Sequence, residues 1–212
     1  MEARVIQYIQ TEYDPEVILL AGSRAKGKET EKSDWDLFLL GPKKGNGSFI
    51  SFQDQLLDVT FKSWPEEDKS LTIPSGPLWP IKILLDKSDG RLSKVMAKTE
   101  QDFRKGPLTL YKNSVIERFK KLDSWKRKIE KYADNPMVEF FYAGVFYEFT
   151  IRAWFELQNK WSLSPSEAIS HIKENDLEFY ELLSSFTLLT SNKRPEITKT
   201  VLKKLQYFYS KL

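Results

Sequence analysis

The sequence predicts an α+β chain, with a small mixed-sheet domain over residues 1–108 and an α-helical bundle domain over residues 109–212. Three observations carry this. Short apolar runs bounded by Gly, Pro, Ser or charged residues crowd the first half. Apolar residues at three- and four-residue steps dominate the second. Seven of the nine glycines and six of the ten prolines fall before residue 91, where turns are therefore expected to concentrate. A chain of 212 residues is also long enough to bury a core in each of two small domains.

In chain order, Val5, Ile6 and Ile9 mark a short leading helix over residues 1–10. Strands are expected at Val17–Ala21, Asp36–Leu40, Leu56–Phe61 and Ile81–Leu85, each an apolar run that must be buried on at least one face. Asp54 reads as a loop residue, and Asp86 and Asp89 as a turn before Gly90. After residue 108, Val115, Phe119, Leu122, Trp125, Ile129 and Tyr132 define the apolar face of a helix whose other faces are rich in lysine. Asn135-Pro136 supplies the N-cap and first position of an aromatic-rich helix running past Phe155. Ser164-Pro165-Ser166-Glu167 has the capping-box pattern of a third helix, and Pro195 opens a last one.

Composition narrows the chemistry. There is no cysteine and a single histidine, His171, so disulfide frameworks, thiolate zinc sites, cysteine nucleophiles, multi-histidine metal centres and a Ser-His-Asp triad are set aside. The working groups are then carboxylates, hydroxyls and cations. A net charge of +3 is too even to steer the whole chain toward nucleic acid or an anionic membrane. No apolar run is long enough to span a bilayer, and Met-Glu-Ala-Arg lacks the layout of a secretory signal, so a cytoplasmic protein is expected.

The informative stretch is residues 17–40, where an apolar strand runs into Gly22-Ser23 and a polar segment leads to Ser33-Asp34-Trp35-Asp36 at the mouth of the next strand. Gly22 permits a tight turn and the close approach of a phosphate, and Ser23 and the amides after it would stand at a helix N-terminus that favours anions. Asp34 and Asp36 are two residues apart, so on a strand both project from one face, where two carboxylates can hold one hard cation. Mg²⁺ suits them, since it combines carboxylate oxygens with substrate phosphates. A third acid, Asp58, interrupts the run Leu56–Phe61, where a charge needs a partner.

These residues resemble the nucleotidyltransferase superfamily with the polymerase-beta-type palm, whose signature is a strand, Gly-Ser, about ten residues, then Asp-x-Asp on the next strand and a third acid later. Ten residues separate Ser23 from Asp34 here, and Gly-Ser-Arg-Ala-Lys-Gly with Ser-Asp-Trp-Asp-Leu is similar to the bacterial aminoglycoside adenylyltransferases. Segments Pro80–Gly90 and Asp176–Leu183 share that likeness more loosely. The resemblance implies that Gly22 and Ser23, with Arg24 and Ser33 beside them, bind the triphosphate of ATP or another NTP, and that Asp34, Asp36 and Asp58 hold Mg²⁺, Asp58 with a metal-ligand or base role. It implies transfer of a nucleoside monophosphate to a hydroxyl of a small acceptor of the aminoglycoside type, with release of pyrophosphate.

Some such enzymes draw a base from their helical domain. Glu148, between Tyr147 and Phe149, is the expected candidate, because a carboxylate among large apolar side chains has a raised pKa. Glu139, Glu148 and Glu156 are also candidates to receive a cationic acceptor. Two alternatives stay open: a toxin–antitoxin-type adenylyltransferase acting on protein or tRNA, and a nucleotide-binding regulator without turnover. Residues 112–131 carry eight Lys/Arg against three acids, a basic stretch whose expected role is a solvated face. The aromatic-rich helical half leaves an apolar face for a homodimer.

Overall fold

The computed structural model describes residues 1–41, 47–73, 76–189 and 193–212. The chain divides into two compact units, Met1–Arg104 and Lys105–Leu212. The first contains α1 (Glu2–Tyr13), β1 (Val17–Leu20), α2 (Gly22–Ala25), β2 (Trp35–Leu40), β3 (Ser48–Phe52), β4 (Gln55–Lys62), the two-residue strands β5 (Thr72–Ile73) and β6 (Gly76–Pro77), β7 (Lys82–Asp86) and α3 (Arg91–Lys105), whose last residue passes the boundary. The second contains α4 (Pro107–Lys131), α5 (Pro136–Leu157), α6 (Pro165–Asn175), α7 (Leu177–Leu188) and α8 (Arg194–Tyr209).

The five-stranded sheet has the order β3-β4-β2-β1-β7. It is mixed: β2 and β4 run parallel, and every other neighbouring pair is antiparallel. The chain reaches that parallel pairing by stepping outward to β3 and folding back through the Gln53-Asp54 turn, where both residues take positive φ (48° and 63°). Asp54 is thus a turn residue, as its position in the sequence suggests.

Strand alternation sorts the side chains to two faces. Trp35, Leu37, Leu39, Leu57, Val59, Ile18 and Leu20 pack with Val5 and Ile9 of α1. Val17, Leu19, Ala21 and Leu40 pack with Leu92 and Met96 of α3, and with Leu71 and Leu78. The result is a helix, sheet, helix sandwich in which β1 is buried on both sides.

Four elements of this unit lie outside the expected set: the two-residue strands β5 and β6, the edge strand β3 and helix α3. β3 has the exposed pattern of an edge strand, with Phe49 71% exposed, so no continuous apolar run marks it. Helix α3 is strongly amphipathic but mostly charged, and its buried side comes down to Leu92, Met96, Thr99 and Asp102. Its start is defined by the turn: Asp86 Oδ1 accepts from the Ser88 amide at 2.8 Å, and Asp89 and Gly90 have φ of 48° and 83°.

In the second unit one core gathers Phe119, Leu122, Ile129, Phe146, Trp154, Phe155, Ile172, Phe179, Phe186, Val201 and Leu205 from all five helices. Asn135 caps α5 by accepting from the Val138 amide at 3.3 Å. At α6 the Ser164 hydroxyl donates to the Glu167 carboxylate at 2.8 Å, which joins the two residues of the box. Asp176 accepts from the Phe179 amide at 3.1 Å and starts α7, so residues 165–188 form two helices. His171 packs against the rings of Trp154 and Phe155, with its buried Nε2 unpartnered among the described residues.

Candidate functional site

The site is built at one end of the first unit's sheet. β1 ends at Leu20, the Ala21 amide donates to the Asp36 carbonyl at 2.9 Å, and the chain turns at Gly22 with φ +67°. A Cβ at Gly22 would overlap the carboxylate of Asp36, so the acid lies directly against this backbone. Only glycine meets both demands, left-handed φ and a side chain of zero size. The Gly22–Ala25 helix is a single turn of four residues, so its free amides act locally and carry little of the dipole of a long helix.

Because β2 and β4 are parallel and in register, Asp36 stands beside Asp58. Both project from the face opposite Leu37, Leu57 and Val59, which pack on α1. Asp34 precedes β2 by one residue and Asp36 by two. Asp36 and Asp58 both feel the charge of Asp34. Burial, then the charges of Asp34 and Asp58, push the Asp36 carboxyl above the ordinary carboxylate range, against an opposing pull from Lys26. Burial and then Asp34 push Asp58 up as well. Carboxyls raised first by burial and then by like charge, as at Asp36 and Asp58, mark a candidate functional site.

The fit to a metal can be judged from the donors. Among the described residues no group of three or more His, Cys, Asp or Glu side chains is gathered closely enough to hold a metal by itself. Mg²⁺ does not need such a cage: it is held by one or two carboxylates together with substrate phosphates and water. The half-buried Asp36, the neighbouring Asp58 and Asp34 offer hard oxygen donors of that kind.

Arg24, in the single turn α2, reaches across the loop that follows it. Its Nε donates to the Asp34 carbonyl at 2.9 Å, and its Nη2 donates to the Ser33 carbonyl at 2.6 Å and to Gln55 Oε1 at 2.7 Å. The guanidinium lies over the Trp35 ring, 4.5 Å from its centroid. The Ser33 hydroxyl accepts from the Thr30 amide at 2.9 Å, and the Ser23 carbonyl accepts from the amides of Lys26 and Lys28 at 3.1 and 3.0 Å. Phe49, on the edge strand and directly opposite Asp58, adds an exposed ring beside the acids that the sequence reading passed over. The Ser-Phe-Ile-Ser-Phe alternation before the Gln53-Asp54 turn was the signal for it.

Glu148 lies in the second unit, on α5. Its surroundings differ from those expected: its side chain is 69% exposed and pairs with Arg152 at 3.6 Å. The inward face of α5 is set by Ala143, Phe146, Thr150 and Ala153, and a residue two places after Phe146 points away from it. The acids buried on this helix are Glu139, paired with Arg194 at 2.5 Å, and Glu156, paired with Arg118 at 2.9 Å. Both are held within the bundle, which removes them as receivers of a cationic acceptor. Three of the eight basic residues of this stretch of α4 pair along their own helix, Lys120 with Glu117, Arg127 with Asp123 and Lys126 with Glu130, so the stretch keeps a net positive charge.

Residues 3–65 match the family described as "Polymerase beta, Nucleotidyltransferase", a span that includes Gly22, Asp34, Asp36 and Asp58. A crystal structure of a nucleotidyltransferase-like protein from Exiguobacterium sibiricum is similar to this chain with a TM-score of 0.52 and 11% identity, over 98% of this chain and 74% of that one. At that identity the likeness speaks for the fold. No curated protein matches. No described helix is long and apolar enough to cross a membrane. Residues 3–65, within the first unit, are thus similar to the polymerase-beta nucleotidyltransferases.

Proposed function

We propose that the protein is a Mg²⁺-dependent nucleotidyltransferase that moves AMP, or another NMP, from an NTP to a hydroxyl of a small acceptor, with an aminoglycoside-type amino sugar as the favoured class. The observation that carries this is the in-register pair Asp36 and Asp58, with Asp34 beside them, set against the Gly22 turn. In this reading residues 1–108 bind and activate the nucleotide, and the helical half, residues 109–212, serves the acceptor.

Asp34 and Asp36 would hold the metal, with Asp58 as third ligand or base. When bound, the ion neutralises triphosphate charge and stabilises the attacking and leaving oxygens of an in-line displacement. The acceptor oxygen forms a bond to the α-phosphorus, the bond from that phosphorus to the β-bridging oxygen breaks, and pyrophosphate departs. The acceptor's proton passes to a carboxylate. Asp58 is suited to take it, because a carboxyl raised above its ordinary range is a stronger base. Glu148, exposed and beside Arg152, is the proposed base only if the second unit supplies one. Gly22 and Ser23, with Ser33, line the turn that would receive the phosphates, and the exposed ring of Phe49 offers an apolar wall for a base or sugar. A homodimer would use the exposed apolar start of α5, Met137, Phe140 and Phe141.

The test is pyrophosphate release in the presence of Mg²⁺, each NTP in turn and a panel of amino sugars. Release should depend on the acceptor and on the metal, and Asp34→Asn should lower it by about 10³-fold, the scale on which lost transition-state charge stabilisation is felt. Release that is unchanged by Asp34→Asn, or absent with every pair of substrates, refutes the reading.

A further inference from the structure

We infer that Arg24 is the positioning residue of this site: its guanidinium ties the turn after β1, the backbone ahead of β2 and the start of β4 into one unit, and so fixes where the three acids stand. The inference rests on the transfer reading for its kinetic consequence, and on the hydrogen bonds alone for its structural one.

The eight residues between Ala25 and Asp34, Lys26 to Ser33, include no large apolar side chain, so burial cannot hold this loop in place. Asp34 nevertheless has to be delivered to a fixed position at its end. The guanidinium does this from the loop's other end, by accepting no bond and donating three. Two go to the consecutive carbonyls of Ser33 and Asp34, at 2.6 and 2.9 Å. The third goes to Gln55 Oε1 at 2.7 Å, on the first residue of β4, three before Asp58. The stack on Trp35, which is 4% exposed, fixes the plane of the fork. One side chain thereby touches the backbone ahead of β2 and the first residue of β4 while itself following Gly22-Ser23.

A flat fork with five donors can satisfy acceptors in divergent directions, which a lysine ammonium on a flexible stem does not reproduce. Donors already committed to protein carbonyls are also not open to a phosphate. Arg24 acts here on the geometry of its neighbours, and the substrate feels it through Asp34 and Asp36.

Two variants test this, Arg24→Lys, which keeps the charge, and Gln55→Leu, which removes one acceptor and cannot alter a phosphate ligand. Amide hydrogen exchange over residues 30–37 in the nucleotide-free protein is measured beside kcat and the KM for the nucleotide. Arg24→Lys should speed exchange in this segment and lower kcat by about 10²-fold, the scale of an ångström's misplacement, with KM for the nucleotide nearly unchanged. Gln55→Leu should show the same split with a smaller loss. A rise in KM with kcat held and exchange unchanged would make Arg24 a phosphate ligand and overturn the inference. If the wild-type protein transfers nothing, the transfer reading fails by itself; exchange that is then unchanged in both variants overturns the tether too, and faster exchange in both upholds it. Should Arg24→Lys fail to fold, Gln55→Leu decides alone.

Discussion

The ion-paired acids of the second unit and the clustered acids of the first meet charge in opposite ways, although the first unit's buried Asp102 is itself paired with Lys98 at 2.9 Å. In the second, Glu139 and Glu156 each meet a guanidinium from another helix, Arg194 and Arg118, and every charge in these pairs faces its opposite. In the first unit's cluster, Asp36 and Asp58 stand beside each other and near Asp34, so like charge faces like charge, eased at Asp36 by the pull of Lys26. In the second unit's pairs the loss of either partner leaves the other charge buried and uncompensated. Clustered acids work against the fold that holds them.

The largest expected break in this contrast is Glu139→Ala. Arg194 would be left buried and uncompensated between α5 and α8, and denaturant unfolding should report a loss of about 3–5 kcal/mol. Next comes Gly22→Ala. Its Cβ would displace the Asp36 carboxylate and strain a φ of +67°, so transfer should fall by about 10²-fold or more while the second unit's helices remain folded by circular dichroism.

Asp36→Asn should run against the usual direction of buried-site changes. A carboxyl whose folded pKa is raised binds protons more readily in the folded state, so its contribution to stability is greatest below the ordinary aspartate range and is lost as pH rises through the folded value. Removing the charge should therefore raise Tm at pH 7 in metal-free protein, while transfer is lost. The gain should shrink as pH falls toward about 4, the ordinary aspartate pKa. A Tm that drops at pH 7 would show the acids to be structurally paired after all. The smallest effect belongs to the exposed pairs: Arg127→Ala, which opens the surface pair with Asp123, should change stability by no more than about 0.5 kcal/mol, falling further in high salt.

Much of this was legible from local pattern. Apolar runs located β1, β2, β4 and β7, and Asn135, Pro165 and Pro195 marked helix starts correctly because caps act within one turn of the backbone. Glu148 shows where neighbourhood in sequence misleads: Tyr147 and Phe149 flank it in the chain, but a helix turns each by about 100°, and the face that Phe146 and Thr150 bury is not the face of Glu148. The edge strand β3 was hidden because an edge needs no apolar face on both sides.

The sequence by itself determined the parts of the site that depend on short-range geometry. Residues two apart on a strand share a face, so Asp34-Trp35-Asp36 places two carboxylates together in any fold that keeps it extended, and a glycine after a buried strand marks a turn with room for something close. The tertiary structure decided what joins them. Asp58 reaches Asp36 only through the parallel register of β2 and β4, Arg24 reaches Gln55 across 31 positions, and Arg194 finds Glu139 across 55. Such partners are chosen by strand order and helix packing, which follow from burial summed over the whole core. No local run of residues contains that sum.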